Sequence, residues 1–322
     1  MDTRFLRSFL CIAQTGSLSR AAAALDIVQP ALSRQVRILE QELGTQLLVR
    51  HRRGIVLTEA GDKLREHAGR IIAALDEARH AVSTAGDEPS GRLAIGLPNA
   101  LLDVVSANLA QRFNELCPRV FLSLLEAPAH VIESYLREGR LDAAVLLSPK
   151  PVAGIVLEPL ITENVYLAGP AGSNLDIARP TRVEAFARLP MLMFPPHDKL
   201  RQSVDDIMGR NGVWPEPSIE IEGLGLTIAM IRRGMGYALL PQCVIHNEIQ
   251  RGGVTGSPIV GATITWQLGI QRARAGTRAT EQLAATLRNI VAAQVETGIW
   301  SHGRSAGSRL PAARAKPRSK KP

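Results

Sequence analysis

The first 57 residues place apolar side chains at helical spacing in three short blocks, then switch to a strand-like pattern. Phe5, Leu6, Phe9, Leu10, Ile12 and Ala13 mark the first helix, which Gly16 ends. Ser17 or Ser19 is placed to cap a second, short helix from 19 to about 25, since a serine oxygen satisfies free N–H groups at a helix start. Gln29-Pro30 opens a third helix, where proline suits the first turn because its missing N–H costs nothing there. Leu32, Val36, Leu39 and Leu43 form the inner face of that helix, and it ends near Gly44. Gln29, Ser33, Arg34 and Arg37 point the other way. Leu47-Leu48-Val49-Arg50 and Ile55-Val56-Leu57 flank His51-Arg52-Arg53-Gly54 and predict a small hairpin with a basic turn.

Thr58 then caps a long helix. Leu64, Ala68, Ile71, Leu75, Ala78 and Val82 alternate at spacings of four and three, a heptad seam. Two readings fit: a helix lying on its own domain, or a dimerising helix whose other faces carry Arg65, Glu66, Arg70, Asp76, Glu77 and Arg79. Residues 85–91 are linker-like. Beyond them, apolar runs at 93–95, 121–125, 143–147, 191–194, 219–221, 237–240 and 264–270 alternate with helical stretches at 103–116, 129–138, 199–211, 224–233 and 277–297. That alternation predicts an α/β fold in two lobes. The expected organisation is a winged helix-turn-helix at 1–57, a linker helix at 58–90, a two-lobed α/β domain at 91–300, and a disordered basic tail at 301–322. Within 91–300, lobe I is expected at about 91–162 and 267–300, and lobe II at about 163–266.

Charge changes the picture less than it first suggests. The net charge is +8, but the tail holds seven Lys and Arg and no acid, leaving the first 300 residues at +1. A nucleic-acid reading must therefore rest on local patterning. The tail itself either adds nonspecific phosphate contacts or is only a solvated end. Aromatics make up 4% of the chain, too few for a stacking platform for single strands. Cys11, Cys117 and Cys243 are far apart and odd in number, which argues against a disulfide scaffold or a zinc module. No run of 18 apolar residues and no leader pattern occurs, so a cytoplasmic protein without membrane contact is expected.

In a helix-turn-helix the second helix enters the major groove and its N-terminal side chains reach base edges. Gln29, Ser33, Arg34 and Arg37 are of the right types: glutamine reads adenine, arginine reads guanine, and serine suits a base or a phosphate. Ser17 and Pro30 belong to the same interface, with Arg50, Arg52 and Arg53 of the hairpin meeting phosphates or a minor groove. The alternative is a small helical bundle with ordinary surface arginines.

Residues 1–66 closely resemble the N-terminal domain of LysR-type transcriptional regulators. Phe9, Gly16-Ser17, Ala21-Ala22, Leu25, Gln29-Pro30-Ala31-Leu32-Ser33, Leu39-Glu40, Leu43-Gly44, Leu47, Arg50 and Leu57-Thr58-Glu59-Ala60-Gly61 carry the match. Sparser marks extend it to about residue 298: Gly91-Arg92-Leu93, Pro118, Leu141-Asp142, and Gly234-x-Gly236 with Leu239-Leu240-Pro241. Pro151 to Gly154 and Leu47-Leu48-x-Arg50 look most like the nitrogen assimilation control branch. Two positions depart from the pattern: Leu48 stands where phenylalanine is usual, and Val28 where a capping serine is common. The resemblance implies a dimer or tetramer on double-stranded promoter DNA, with RNA polymerase as a further partner. It also implies a seam of Leu64, Ala68, Ile71, Leu75, Ala78 and Val82, and a periplasmic-binding-protein-like domain (type 2) that holds a small effector between its lobes.

In that fold, ligands sit where strand ends and helix starts converge, and helix N-termini favour anions. Asn99, Ala100 and Leu101 follow the first strand, Ser148 follows a later one, and His197 precedes a helix bearing Arg201. These six are the candidate effector residues, for an anion or an apolar carboxylate. Three of them also have an ordinary reading, as a helix cap (Asn99, His197) or an ion pair (Arg201 with Asp205). There is no Gly-x-Ser-x-Gly, no phosphate-binding glycine loop and no paired histidines at metal spacing, so neither an enzyme nor a cofactor or metal protein is expected. A regulator without effector and a transporter's solute-binding protein are the competing readings. The absent leader and the 29–37 helix speak against the second.

Overall fold

The computed structural model describes residues 1–51, 54–83, 88–186, 188–210, 212–214 and 216–300. Its elements run α1 (Thr3–Thr15), α2 (Leu18–Ala24), α3 (Gln29–Leu43), β1 (Leu48–His51), β2 (Gly54–Leu57), α4 (Glu59–Ser83), β3 (Gly91–Pro98), α5 (Ala107–Leu116), β4 (Val120–Ala127), α6 (Ala129–Arg137) and β5 (Ala143–Leu147). There follow β6 (Ile155–Pro170), β7 (Met191–Met193), α7 (Lys199–Arg210), β8 (Pro217–Glu220), α8 (Leu224–Arg232), β9 (Ala238–Pro241), α9 (Gln242–Gln250), β10 (Val254–Gln271) and α10 (Arg278–Glu296). The chain divides into two compact units. One comprises Met1–Ile161, Pro195–Gln202 and Thr265–Thr297; the other comprises Thr162–Phe194, Ser203–Ile264 and residues 298–300.

In the first unit the N-terminal bundle has two small cores on either side of α3. Ile12, Leu18, Ala21, Ala22, Leu32 and Val36 form one, and Leu6, Phe9, Leu39, Leu47 and Ala68 the other. Leu48 packs against both, so leucine fills the place of the usual phenylalanine without leaving the core. The expected buried face of α3 needs one correction: Leu43, in the last turn, is 41% exposed because the helix has there outrun the bundle. Local chemistry sets the boundaries. Gly16 takes φ 62° at the end of α1, and Ser17 caps α2 by accepting the Arg20 N–H at 3.4 Å. Thr58 accepts the Gly61 N–H at 3.0 Å and donates its hydroxyl to the Gln46 carbonyl at 2.7 Å, which joins α4 to the chain ahead of the hairpin. Gly61 is required by proximity: a Cβ there would lie 2.1 Å from the Leu47 carbonyl oxygen.

The same unit carries the parallel strands β4-β3-β5, with β10 antiparallel to β5. Pro98 stands opposite Ala127 and Ile95 opposite Ala143, so the carboxyl ends of β3, β4 and β5 share one edge. Asp142 fastens the start of β5 by accepting the Ala94 N–H at 2.7 Å and pairing with Arg274 at 2.8 Å. The α6 helix lies on this sheet through Ile132 and Leu136, which pack with Leu141, Ala144 and Leu146.

In the second unit β6 pairs antiparallel with β9, and β7 pairs parallel with β8. Its least accessible polar group is Glu163, which is fully buried. One carboxylate oxygen, Oε2, accepts the Cys243 N–H at the start of α9 and the Trp300 indole N–H, both at 2.8 Å. Burial, then the neighbouring Glu163, pushes the Cys243 thiol well above its ordinary range, so this sulfur is a core group, not a nucleophile.

Two elements have no counterpart in the expected pattern. β6 runs for 16 residues across Pro159 and mixes acids with apolar side chains, which hides its alternation. The α9 helix follows Pro241 directly and has buried polar residues, Gln242 and Glu248, so it lacks a clear apolar stripe. The expected helix at 103–116 begins with a turn of π-helix, Leu102–Ser106, before α5 proper.

Candidate nucleic-acid interface and ligand edge

The two cores hold α3 between them, one by Leu32 and Val36 and the other by Leu39, and leave Gln29, Pro30, Arg34 and Arg37 exposed on its amino-terminal half. Ser33 is half-buried on the same stretch. Val28 occupies the cap position, is 69% exposed and makes no side-chain cap bond. The Gln29 amide oxygen does not replace it; it accepts the Ser19 hydroxyl at 3.2 Å and so ties α2 to α3. The turn between the helices passes through Asp26 at φ 52°, a left-handed conformation that aspartate tolerates. Ser17 is engaged as the α2 cap, which sets α2 at its angle to α1.

The hairpin β1–β2 is held at the flank of this helix pair. The Glu40 carboxylate accepts the Leu47 N–H at 2.9 Å, and the Ile55 N–H donates to the Gly16 carbonyl at 3.0 Å. Arg52 and Arg53 lie outside the described residues, as does the side chain of Arg50. A three-helix unit with a polar, arginine-bearing helix face and a docked hairpin is the winged helix-turn-helix arrangement.

The linker helix splits the expected seam. Ala68 is fully buried in the chain's own N-terminal core, and Leu64 packs on the same cluster. Both are thus committed within the chain, which corrects the even heptad reading over its first turns. Ile71 is 38% exposed and Leu75 half-buried. The side chains of Ala78 and Val82 lie outside the described residues.

The six effector candidates fare unevenly. Asn99 leaves the carboxyl end of β3, and its Oδ1 is buried with no hydrogen-bond partner among the described residues. Ala100 is half-buried beside it. Leu101 is fully buried in the core, so it cannot line an open site. Ser148 follows β5 in a left-handed conformation, φ 41°, and its hydroxyl accepts the Thr265 N–H at 3.3 Å. His197 does not cap α7; Asp198 does, accepting the Leu200 and Arg201 N–H groups at 2.8 and 3.1 Å. The His197 ring instead meets His130 edge to face, with centroids 4.8 Å apart. His130 had no motif to mark it. It opens α6 just beyond β4, so it belongs to the same strand edge as Asn99 and Ser148, and its Nδ1 is buried without a partner among the described residues. Only the parallel pairing of β3 with β4 could have found it.

Two family models match. Residues 3–62 fit "Bacterial regulatory helix-turn-helix protein, lysR family", and residues 86–292 fit "LysR substrate binding domain". The chain belongs to the LysR family. It is a DNA-binding transcriptional regulator by that membership. Among curated relatives, the nitrogen assimilation regulatory protein of Klebsiella aerogenes is 35% identical over 75% of this chain and 79% of its own. The regulator BbuR of Bordetella bronchiseptica is 29% identical over 93% of each chain. Among solved structures, a full-length OxyR variant from Pseudomonas aeruginosa superposes with TM-score 0.73 at 22% identity, covering 89% of this chain and 95% of that one. Full-length CbnR in complex with its target DNA superposes with TM-score 0.59 at 20% identity, covering 90% and 100%. These likenesses establish the LysR fold. Among the described residues no helix is long and apolar enough to cross a membrane.

Proposed function

We propose that this LysR-family chain reads promoter DNA through the outward face of α3. Gln29, Ser33, Arg34 and Arg37 contact base edges, and Arg50, Arg52 and Arg53 contact phosphates. The observation that carries the reading is the exposure of Arg34 and Arg37 on a helix whose opposite face is locked in the core by Leu32, Val36 and Leu39. Pro30 is exposed and starts the helix, and Ser17 acts as the cap that orients α2. The protein works as a homo-oligomer, with Ile71 and Leu75 of α4 as the surface for a second copy.

The domain beyond residue 90 responds to a small molecule at the carboxyl edge of β3, β4 and β5. The unpartnered Asn99 oxygen supports this, because a buried acceptor is costly unless something donates to it. Asn99, Ala100 and Ser148 are the contacts on this edge, with His197 and Arg201 beside it. A regulator without effector is the second reading; the engaged Ser148 hydroxyl and the buried Leu101 favour it.

The deciding experiment is selection of sheared genomic fragments by purified protein in moderate salt, with and without residues 301–322. Enrichment of a few promoter-proximal fragments by both forms is expected. No enrichment, or enrichment lost with the tail, would overturn the α3 assignment. Metabolites of the pathway encoded beside those promoters are then added to footprints. A footprint that no metabolite alters favours the effector-free reading.

A further inference from the structure

A groove of about 680 Å³ opens within the first unit, between the N-terminal bundle with its linker helix and the face of the β3–β4 sheet. The two walls approach closely. A Cβ on Gly69 of α4 would lie 2.5 Å from the carbonyl oxygen of Glu138, just past α6. A glycine inside a helix is unfavourable unless something needs the space, and here a backbone oxygen occupies it.

The polar lining is dominated by guanidinium groups: Arg65 from α4, Arg92 from β3, Arg140 from the turn after α6, and Arg274 after β10. Asp142 is the one carboxylate among the lining residues and is taken by Arg274 at 2.8 Å. Arg140 lies over the Tyr135 ring and touches Glu138 at 3.4 Å. Arg92 lies over Phe121. Arg65 reaches Asp62 at 3.4 Å with one terminal nitrogen, yet its Nε is buried without a hydrogen-bond partner among the described residues. A buried guanidinium N–H lacking an acceptor, in a groove where arginines outnumber acids, is an anion site by chemistry.

We propose that this groove binds a small oxyanion, a carboxylate or a phosphate, through Arg65 and Arg92 with Arg140 beside them. The occupant bridges α4 to the sheet of the regulatory domain, so its binding is linked to how the DNA-binding unit is held. That consequence rests on the regulator reading; the site itself does not.

The test follows thermal unfolding of the full chain at constant ionic strength while inorganic phosphate, or separately succinate, replaces chloride. A ligand that binds only the folded form raises the midpoint in a saturable way. The expected result is a saturable rise with one of the two anions, which assigns its class. Arg65→Gln and Arg92→Gln should weaken the apparent affinity at least tenfold, whereas Arg112→Gln, an exposed arginine outside the groove, should match wild type. If Arg65→Gln does not fold, Arg92→Gln decides. No saturable rise with either anion, or equal rises in all variants, would overturn the proposal. No DNA is present, so a rise in a protein that selects no promoter fragment would overturn the α3 assignment and leave the site standing.

Discussion

Trp300→Phe isolates a contact that lies beyond the 86–292 family match. Trp300 is 1% exposed, and its indole N–H donates to a carboxylate, Glu163, that is fully buried. Phenylalanine keeps most of the apolar surface but removes the donor, leaving Oε2 with the Cys243 N–H. A hydrogen bond to a charged group is worth about 1.5–3 kcal/mol. The smaller ring also leaves a void, which at core sites adds roughly 1 kcal/mol. The expected loss is therefore about 3 kcal/mol, the sum of those two effects. In the second unit, of about 100 described residues, that corresponds to a midpoint drop of roughly 12–24 °C. Thermal unfolding followed by near-ultraviolet circular dichroism measures it. Deleting residues 301–322 should leave the midpoint unchanged, and deleting from Gly298 should cost at least as much as the point change. A double-mutant cycle with Glu163→Gln should return a coupling of about 1–2 kcal/mol, since the two groups touch. A Trp300→Phe variant within about 0.5 kcal/mol of wild type, the range of ordinary surface changes, would refute the reasoning.

Arg34→Ala should lose discrimination between the selected fragments and scrambled ones by about 1–3 kcal/mol, the value of one bidentate base contact; equal loss on all sequences in binding titrations would assign Arg34 to phosphates instead. Ile71→Asp places a charge on the exposed stripe of α4 and should give monomers in sedimentation, with an unchanged mass counting against the seam. Gly61→Ala gains helix propensity of about 1 kcal/mol, but its Cβ would collide with the Leu47 backbone; overpacking costs of about 1–3 kcal/mol should win, and a raised midpoint would show that the α4–hairpin junction is looser than described. Burial pushes the Glu133 carboxyl up, but hydrogen bonds from Lys199 and Arg137 outweigh it and hold the group below its ordinary value of 4.5. Its contribution is thus present above pH 4.5 and lost as pH falls through the lower folded value, so Glu133→Gln should be less stable at neutral pH and should lack that part of the acid-side decline.

The N-terminal unit was legible because its determinants are local. Gly16, Ser17, Pro30, Gly44 and Thr58 each settle a boundary through a bond or a torsion within a few residues, and the inner face of α3 shows in its spacing. Leu43 broke the pattern for a non-local reason: the bundle ends before the helix does. Ala68 broke the seam likewise, because a heptad repeat does not say whether the buried stripe faces another chain or its own core.

The regulatory domain was legible as strand and helix alternation but not as a site, and the two histidines show why. Nothing between Pro128 and His197 links them in sequence, yet the pairing of Pro98 with Ala127 carries His130 to the edge where Asn99 emerges, and His197 meets its ring there. Asp198 and not His197 caps α7, so the position that looked like a cap releases its ring for that contact. The same holds for Glu163, one acid in a strand whose proline and acids obscured it, joined to Trp300 across 137 positions. Groups whose role is set by strand register and by chain return are visible only once topology is known. The buried and unpartnered atoms at Asn99, His130 and Arg65 then say more about ligands than any local motif does.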